Sequence, residues 1–110
     1  MLPKLNRLAK KKDFDVVFKK GIGMKAGFLL FKVIKNQLSE SRFGFIVSKK
    51  VSNKATIRNK VKRRLRSVVA GSLPECKKGV DVIITALSGI EKKEFSEIKE
   101  VVVKSLKKLL

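Results

Sequence analysis

From Ile57 to Val68 the chain sets an aliphatic residue at every third or fourth position, Ile57, Val61, Leu65 and Val68, and fills most places between with Arg and Lys. At 100° per residue these four fall within about 80° of arc, the pattern of a helix with one narrow buried side. Arg58, Lys62 and Arg66 make one flanking ridge, Asn59 and Arg63 the next, and Lys60 and Arg64 complete the circle. No acid interrupts them. Like charges at i, i+4 cost roughly 0.2–0.5 kcal/mol per pair, so the sequence predicts a polyanion against this helix. Asn53 is a candidate N-cap, and Gly71 and Pro74 are expected to end the helix.

The flanking segments supply a sheet and two further helices. Lys4 to Lys12 reads as a basic arm with Leu5 and Leu8 as anchors. Phe14, Val17 and Phe18 have helical spacing within Asp13 to Lys20, and Gly21 stands where a helix C′ residue is expected. Phe28 to Ile34 and Arg42 to Ser48 read as strands of a hairpin across the polar turn Asn36 to Ser41. Alternation would send Phe43, Phe45 and Val47 toward the C-terminal helix and Gly44, Ile46 and Ser48 to the other face. Val80 to Ala86 is a third strand. Phe95, Ile98, Val102, Leu106 and Leu109 make the stripe of a last amphipathic helix, beginning either at a Ser88/Glu91 capping box or nearer Lys93. The order α-β-β-α-β-α describes an α+β fold, a two-layer sandwich. The strands before and after the basic helix are expected to be joined by a crossover, right-handed by the general rule.

Charge narrows the function. The 110 residues carry 28 Lys and Arg against 9 Asp and Glu, a net +19, with no histidine. Such a surface repels itself until a polyanion relieves it, and nucleic acid gains further from counterion release. An apolar fraction of 44% still allows a packed core. Cys76 is alone and is read as a small semi-buried residue, not a ligand. With no histidine and scattered acids, no acid–base pair or metal cluster stands out. No apolar run approaches membrane-spanning length and the start has no signal-peptide core, so a cytoplasmic location is the default expectation.

Ser48-Lys49-Lys50 followed by Arg58-Asn59-Lys60-Val61-Lys62-Arg63 resembles the signature of the bacterial ribonuclease P protein component family. Lys12-Asp13-Phe14, Val17-Phe18 and Gly21 resemble the family's first helix, and Arg42, Gly44 and Val47 to Lys50 its central strand. Two positions depart from the family pattern. Lys60 stands where arginine is commoner, which keeps the charge and loses the planar fork. After Arg66, Val68-Val69-Ala70 lacks a further arginine.

The resemblance implies a central mixed sheet with a left-handed β-α-β crossover, the ribosomal protein S5 domain 2-like arrangement, as one RNA-binding domain over residues 1–110 with residues 1–12 as its arm. It implies the protein subunit of a ribonucleoprotein endoribonuclease that removes the 5′ leader of precursor tRNA. The catalytic site and its Mg2+ would lie in the RNA subunit, and the protein would hold no catalytic residue, metal or cofactor of its own. The implied RNA-subunit docking set is Lys49, Lys50, Arg58, Asn59, Lys60, Lys62, Arg63, Arg64 and Arg66. The implied leader-binding set is Phe14, Phe18, Leu29, Phe31, Ile46 and Ser48, where unpaired bases would stack on rings. The partners are the RNA subunit and precursor tRNA, with no membrane and no required protein partner.

Three other readings share the charge and size. A small ribosomal or ribosome-assembly protein would leave the Ser-Lys-Lys and Arg-Asn pairing to chance. A nuclease acting alone lacks a visible site. A helix-turn-helix DNA reader would need base-reading side chains where this helix has phosphate-binding ones.

Overall fold

The computed structural model describes residues 2–72 and 79–109. Helix α1 (Lys11–Lys20) is followed by three strands, β1 (Ile22–Ala26), β2 (Leu29–Lys35) and β3 (Arg42–Ile46). The long basic helix α2 (Ala55–Ser72), strand β4 (Val80–Ala86) and helix α3 (Phe95–Leu109) complete the chain. Short 3-10 turns occupy Lys4–Asn6 and Ile90–Lys92. The fold is α+β around a mixed four-stranded sheet in the order β1-β2-β4-β3.

The pairing differs from the sequence expectation. β2 and β3 do not form a hairpin, because β4 lies between them, antiparallel to β2 and parallel to β3. The hairpin is β1–β2, closed at Gly27, whose φ of +59° favours glycine. β1 is an additional strand. Its sequence Ile-Gly-Met-Lys-Ala does alternate, with Gly23 and Lys25 between Ile22, Met24 and Ala26, but the run is short and two of its five residues are small, weak strand formers. The crossover is as expected, with α2 joining the parallel neighbours β3 and β4.

The two faces of the sheet hold separate cores. Leu29, Phe31, Phe43, Val82 and Ile84 face Val61, Leu65 and Val69 of α2 and Ile98 and Val102 of α3, all nearly or fully buried. Phe45 and Val47 belong to this cluster as expected. The opposite face carries α1 and the N-terminal arm, whose Leu8 and Val17 pack on Ile83 with Phe14, Ile34 and Ile46 alongside.

Several local expectations change. The arm is anchored by Leu2 and Leu8, both buried, whereas Leu5 is 72% exposed. The arm runs beside β3, with the Leu8 amide donating to the Phe43 carbonyl at 2.9 Å, and so covers that sheet edge. Gly21 follows α1 in extended backbone, φ −71°, so it is not a left-handed cap. A side chain there would instead run into the Val17 carbonyl.

Asn53 does not cap α2. The first turn hangs on the Lys54 carbonyl, which accepts from the Ile57 and Arg58 amides. Gly71 lies inside the helix, which continues to Ser72. Pro74 and Cys76 lie outside the described residues. The Ser88 hydroxyl donates to the Lys50 carbonyl at 2.8 Å and caps nothing. Of the two starts open for the last helix, the later holds, at Phe95, with the Ile98 amide donating to the Glu94 carbonyl. Phe95 itself, expected in the buried stripe, is 40% exposed.

Candidate nucleic-acid interface

Helix α2 presents its cations as the angular pattern requires. Val61, Leu65 and Val68 are buried and Ile57 half-buried. Asn59, Lys60, Arg63 and Arg66, about 180–300° around from Ile57, are all exposed. Arg58, Lys62 and Arg64 flank the buried stripe and are half-buried. Arg58 folds back, its Nη1 donating to the carbonyls of Ser52 (3.0 Å) and Asn53 (2.9 Å), which ties the preceding loop to the helix. Arg64 reaches the Lys93 carbonyl at 3.5 Å.

The ion pairs among the described residues are Arg42–Asp13, Arg42–Asp81, Lys93–Glu97 and Lys104–Glu100, so no α2 cation is answered by a described carboxylate. Lys49 and Lys50 are exposed on the turn after β3, where Ser48 Oγ accepts from the Lys50 amide at 3.2 Å. That turn is pinned from the other side by Ser88.

The second surface lies on the α1 side of the sheet. Phe18 is 41% exposed, with Lys32 Nζ 5.8 Å from its ring centroid and 2.8 Å from its carbonyl oxygen. Phe14 is half-buried against Gly44, the position where the strand leaves room for a ring. Ile46 is half-buried on the same face and Ser48 is exposed beyond it.

Leu29 and Phe31, predicted with this group, are placed elsewhere. Both are fully buried in the core against α2 and α3. The register explains it: Leu29 and Phe31 pair with Ala86 and Ile84, which face α2 and α3, whereas Leu30 and Lys32 pair with Thr85 and Ile83. Leu30, Lys32 and Thr85 therefore share the α1 side, and all three are half-buried. Sequence reasoning missed them because β2 carries apolar residues on both faces and one lysine on each, so its parity could not be read without the partner strand.

The two surfaces meet at the β3 edge. A depression of about 390 Å³ is lined by Arg7 and Leu8 of the arm, Phe14 of α1, Gly44 and Phe45 of β3 and Arg66 of α2. The ring face of α1 thus continues to the last exposed arginine of α2. Behind it, Arg42 joins α1 to the sheet through Asp13 (3.2 Å) and Asp81 (2.7 Å). The hydrogen bond to Asp81, followed by the charges of Asp81 and Asp13, holds the Arg42 guanidinium above its ordinary pKa against the opposing cost of burial.

Among the described residues no group of three or more His, Cys, Asp or Glu could hold a metal ion. No described helix is long and apolar enough to cross a membrane. The arrangement can bind a phosphate backbone on α2 and stack unpaired bases beside α1.

Comparison with known proteins gives one answer. The family model described as Ribonuclease P matches residues 2–110. A ribonuclease P protein component from a Synechocystis species is 44% identical over 87 residues, covering 78% of this chain and 70% of its own. The corresponding protein of Syntrophomonas wolfei is 34% identical over 108 residues, covering 98% and 90%. The solved ribonuclease P protein from Thermotoga maritima superposes with a TM-score of 0.85 at 28% identity, covering 93% of this chain and 96% of its own. The unanswered cations of α2, the aromatic face of α1 and the full-length match lead to one conclusion: the chain belongs to the ribonuclease P protein component family.

Proposed function

We propose that α2 docks this chain on the ribonuclease P RNA subunit, and that the α1 side of the sheet guides the single-stranded 5′ leader of precursor tRNA. The chain is the protein subunit of that ribonucleoprotein, and cleavage of the leader is carried out by the RNA. The observation that carries the docking role is the row Asn59, Lys60, Arg63 and Arg66, exposed along one side of α2 with no described carboxylate in ion-pair range of its cations. Lys49, Lys50 and Lys62 extend it, and Arg58 and Arg64 add charge while bracing the loops beside it.

For the leader, Phe14, Phe18, Ile46 and Ser48 form the proposed surface, joined by Leu30, Lys32 and Thr85. Leu29 and Phe31 act from beneath, as core that fixes the strand. Residues 1–110 act as one RNA-binding domain, in which the arm preceding α1 closes the β3 edge through Arg7 and Leu8. The magnesium ions belong to the RNA subunit, and the particle works in the cytoplasm.

Reconstitution tests this reading. The chain mixed with the RNA subunit at low magnesium should restore 5′ cleavage of a precursor tRNA, and Lys60→Ala with Arg63→Ala should raise the protein concentration required. Cleavage by the chain without RNA, or recovery only of ribosomal RNA from cells, would overturn it.

A further inference from the structure

The two edges of the sheet are treated differently. The β3 edge is covered by the arm, while β1 is terminal on the other side and no described backbone group pairs with its outer edge. Two depressions, of about 300 and 500 Å³, follow this open edge where it overhangs the C-terminal half of α3, and Lys108 lines both. Their floor is aliphatic, including Met24, Val33, Val101 and Leu109. Ile22, at the edge, is 75% exposed. Lys20, Lys25, Lys35 and Lys108 stand around the rim with no described carboxylate in ion-pair range, while Lys104 is answered by Glu100 at 3.0 Å.

We propose that this edge takes an extended acidic segment of a partner protein, which adds as a fifth strand beside β1. Its main chain would complete the open ladder, alternate apolar side chains would cover Ile22 and Met24 on the α3 face, and the carboxylates between them, on the other face, would meet Lys25, which pairs with Leu30. A second copy of this chain is disfavoured, because it would bring like rims together on a molecule of net +19. RNA fits less well. Neither depression is lined by an aromatic ring or an arginine, unlike the α1 side and α2. Bases would find nothing to stack on, whereas a peptide backbone matches the strand spacing.

The test uses the full chain, isotope-labelled for NMR, at elevated salt to suppress non-specific binding. The probe is an octapeptide alternating valine with aspartate or glutamate; the comparisons are the same peptide interrupted by proline and an oligouridylate of similar length. The alternating peptide should slow exchange of β1 amides, and the proline peptide should not. Ile22→Lys, at a site exposed enough to leave the fold intact, and Lys25→Glu, at an exposed position on the carboxylate face, should each weaken binding about tenfold. Arg63→Ala should leave it unchanged. Displacement of the peptide from β1 by oligouridylate would make RNA the occupant and overturn the proposal. So would peptide shifts confined to α2, affinity indifferent to Ile22 and Lys25, or no response at β1.

Discussion

Arg42 grips Asp81 as a two-point fork, Nε donating to Oδ1 at 2.8 Å and Nη2 to Oδ2 at 2.7 Å. The Asn36 amide donates to the same Oδ1 at 2.8 Å, so the carboxylate is satisfied although its side chain is only 7% exposed. The remaining guanidinium nitrogen reaches Asp13 of α1, which ties the helix bearing Phe14 and Phe18 to the centre of the sheet.

Removing Asp81 should therefore cost more than removing Asp13. Asp81→Ala strips the fork from a mostly buried cation and should lower unfolding stability by about 3 kcal/mol in urea titration. Asp13→Ala breaks one contact to a side chain 24% exposed and should cost below about 1 kcal/mol. Because the Arg42 pKa is raised, the stability from its charge is present below the ordinary arginine range and is lost only as pH climbs through the raised value. Loss of Arg42 charge therefore does not weaken the fold near neutrality. Equal losses for the two aspartates would contradict the assigned order.

Phe18 and Phe31 should separate binding from stability. Phe18→Ala removes an exposed ring and should cost little folding energy while weakening binding of long-leader substrates by roughly 1–3 kcal/mol. Phe31→Ala empties a fully buried site and should destabilise by about 3–5 kcal/mol. A Phe18→Ala loss shared equally by mature tRNA without a leader would place Phe18 outside leader binding.

Gly44 sets the place of Phe14. A Cβ there would come within 2.5 and 2.8 Å of atoms of the Phe14 ring, so Gly44→Ala must displace the ring. We expect about 1–3 kcal/mol of destabilisation together with weaker leader binding. Adding Phe14→Leu should recover part of the stability and none of the leader affinity. Full stability in the single variant would show that the ring moves without cost.

On α2, Lys60→Ala and Arg63→Ala should each lower the slope of log affinity against log salt by about one, with little change in stability. Arg58→Ala should differ, costing stability as well, because its guanidinium holds the Ser52 and Asn53 carbonyls. Filter binding across a salt series, beside thermal melts, distinguishes these outcomes.

With no histidine in the chain, RNA-subunit affinity should stay flat between about pH 5.5 and 7 at fixed salt and magnesium. A tenfold change in that window would require a titrating group on the RNA side.

What the sequence determined by itself is what a short stretch of chain can encode. The spacing of Ile57, Val61, Leu65 and Val68 marked α2 and placed its exposed cations, and the stripe through Ile98, Val102 and Leu106 marked α3. Helix periodicity is a local property, so one residue's neighbours along the chain suffice to predict its face. The resemblance carried by Ser48-Lys49-Lys50 and Arg58-Asn59 added the family. Strand partners are chosen across long separations, and only the tertiary structure put β4 between β2 and β3. That choice turned Leu29 and Phe31 into the core and Leu30 and Lys32 toward α1, because a strand with apolar residues on both sides takes its parity from its neighbour. The burial of Leu2 in place of Leu5 and the fork between Arg42 and Asp81 are likewise contacts between distant segments, which no local pattern specifies.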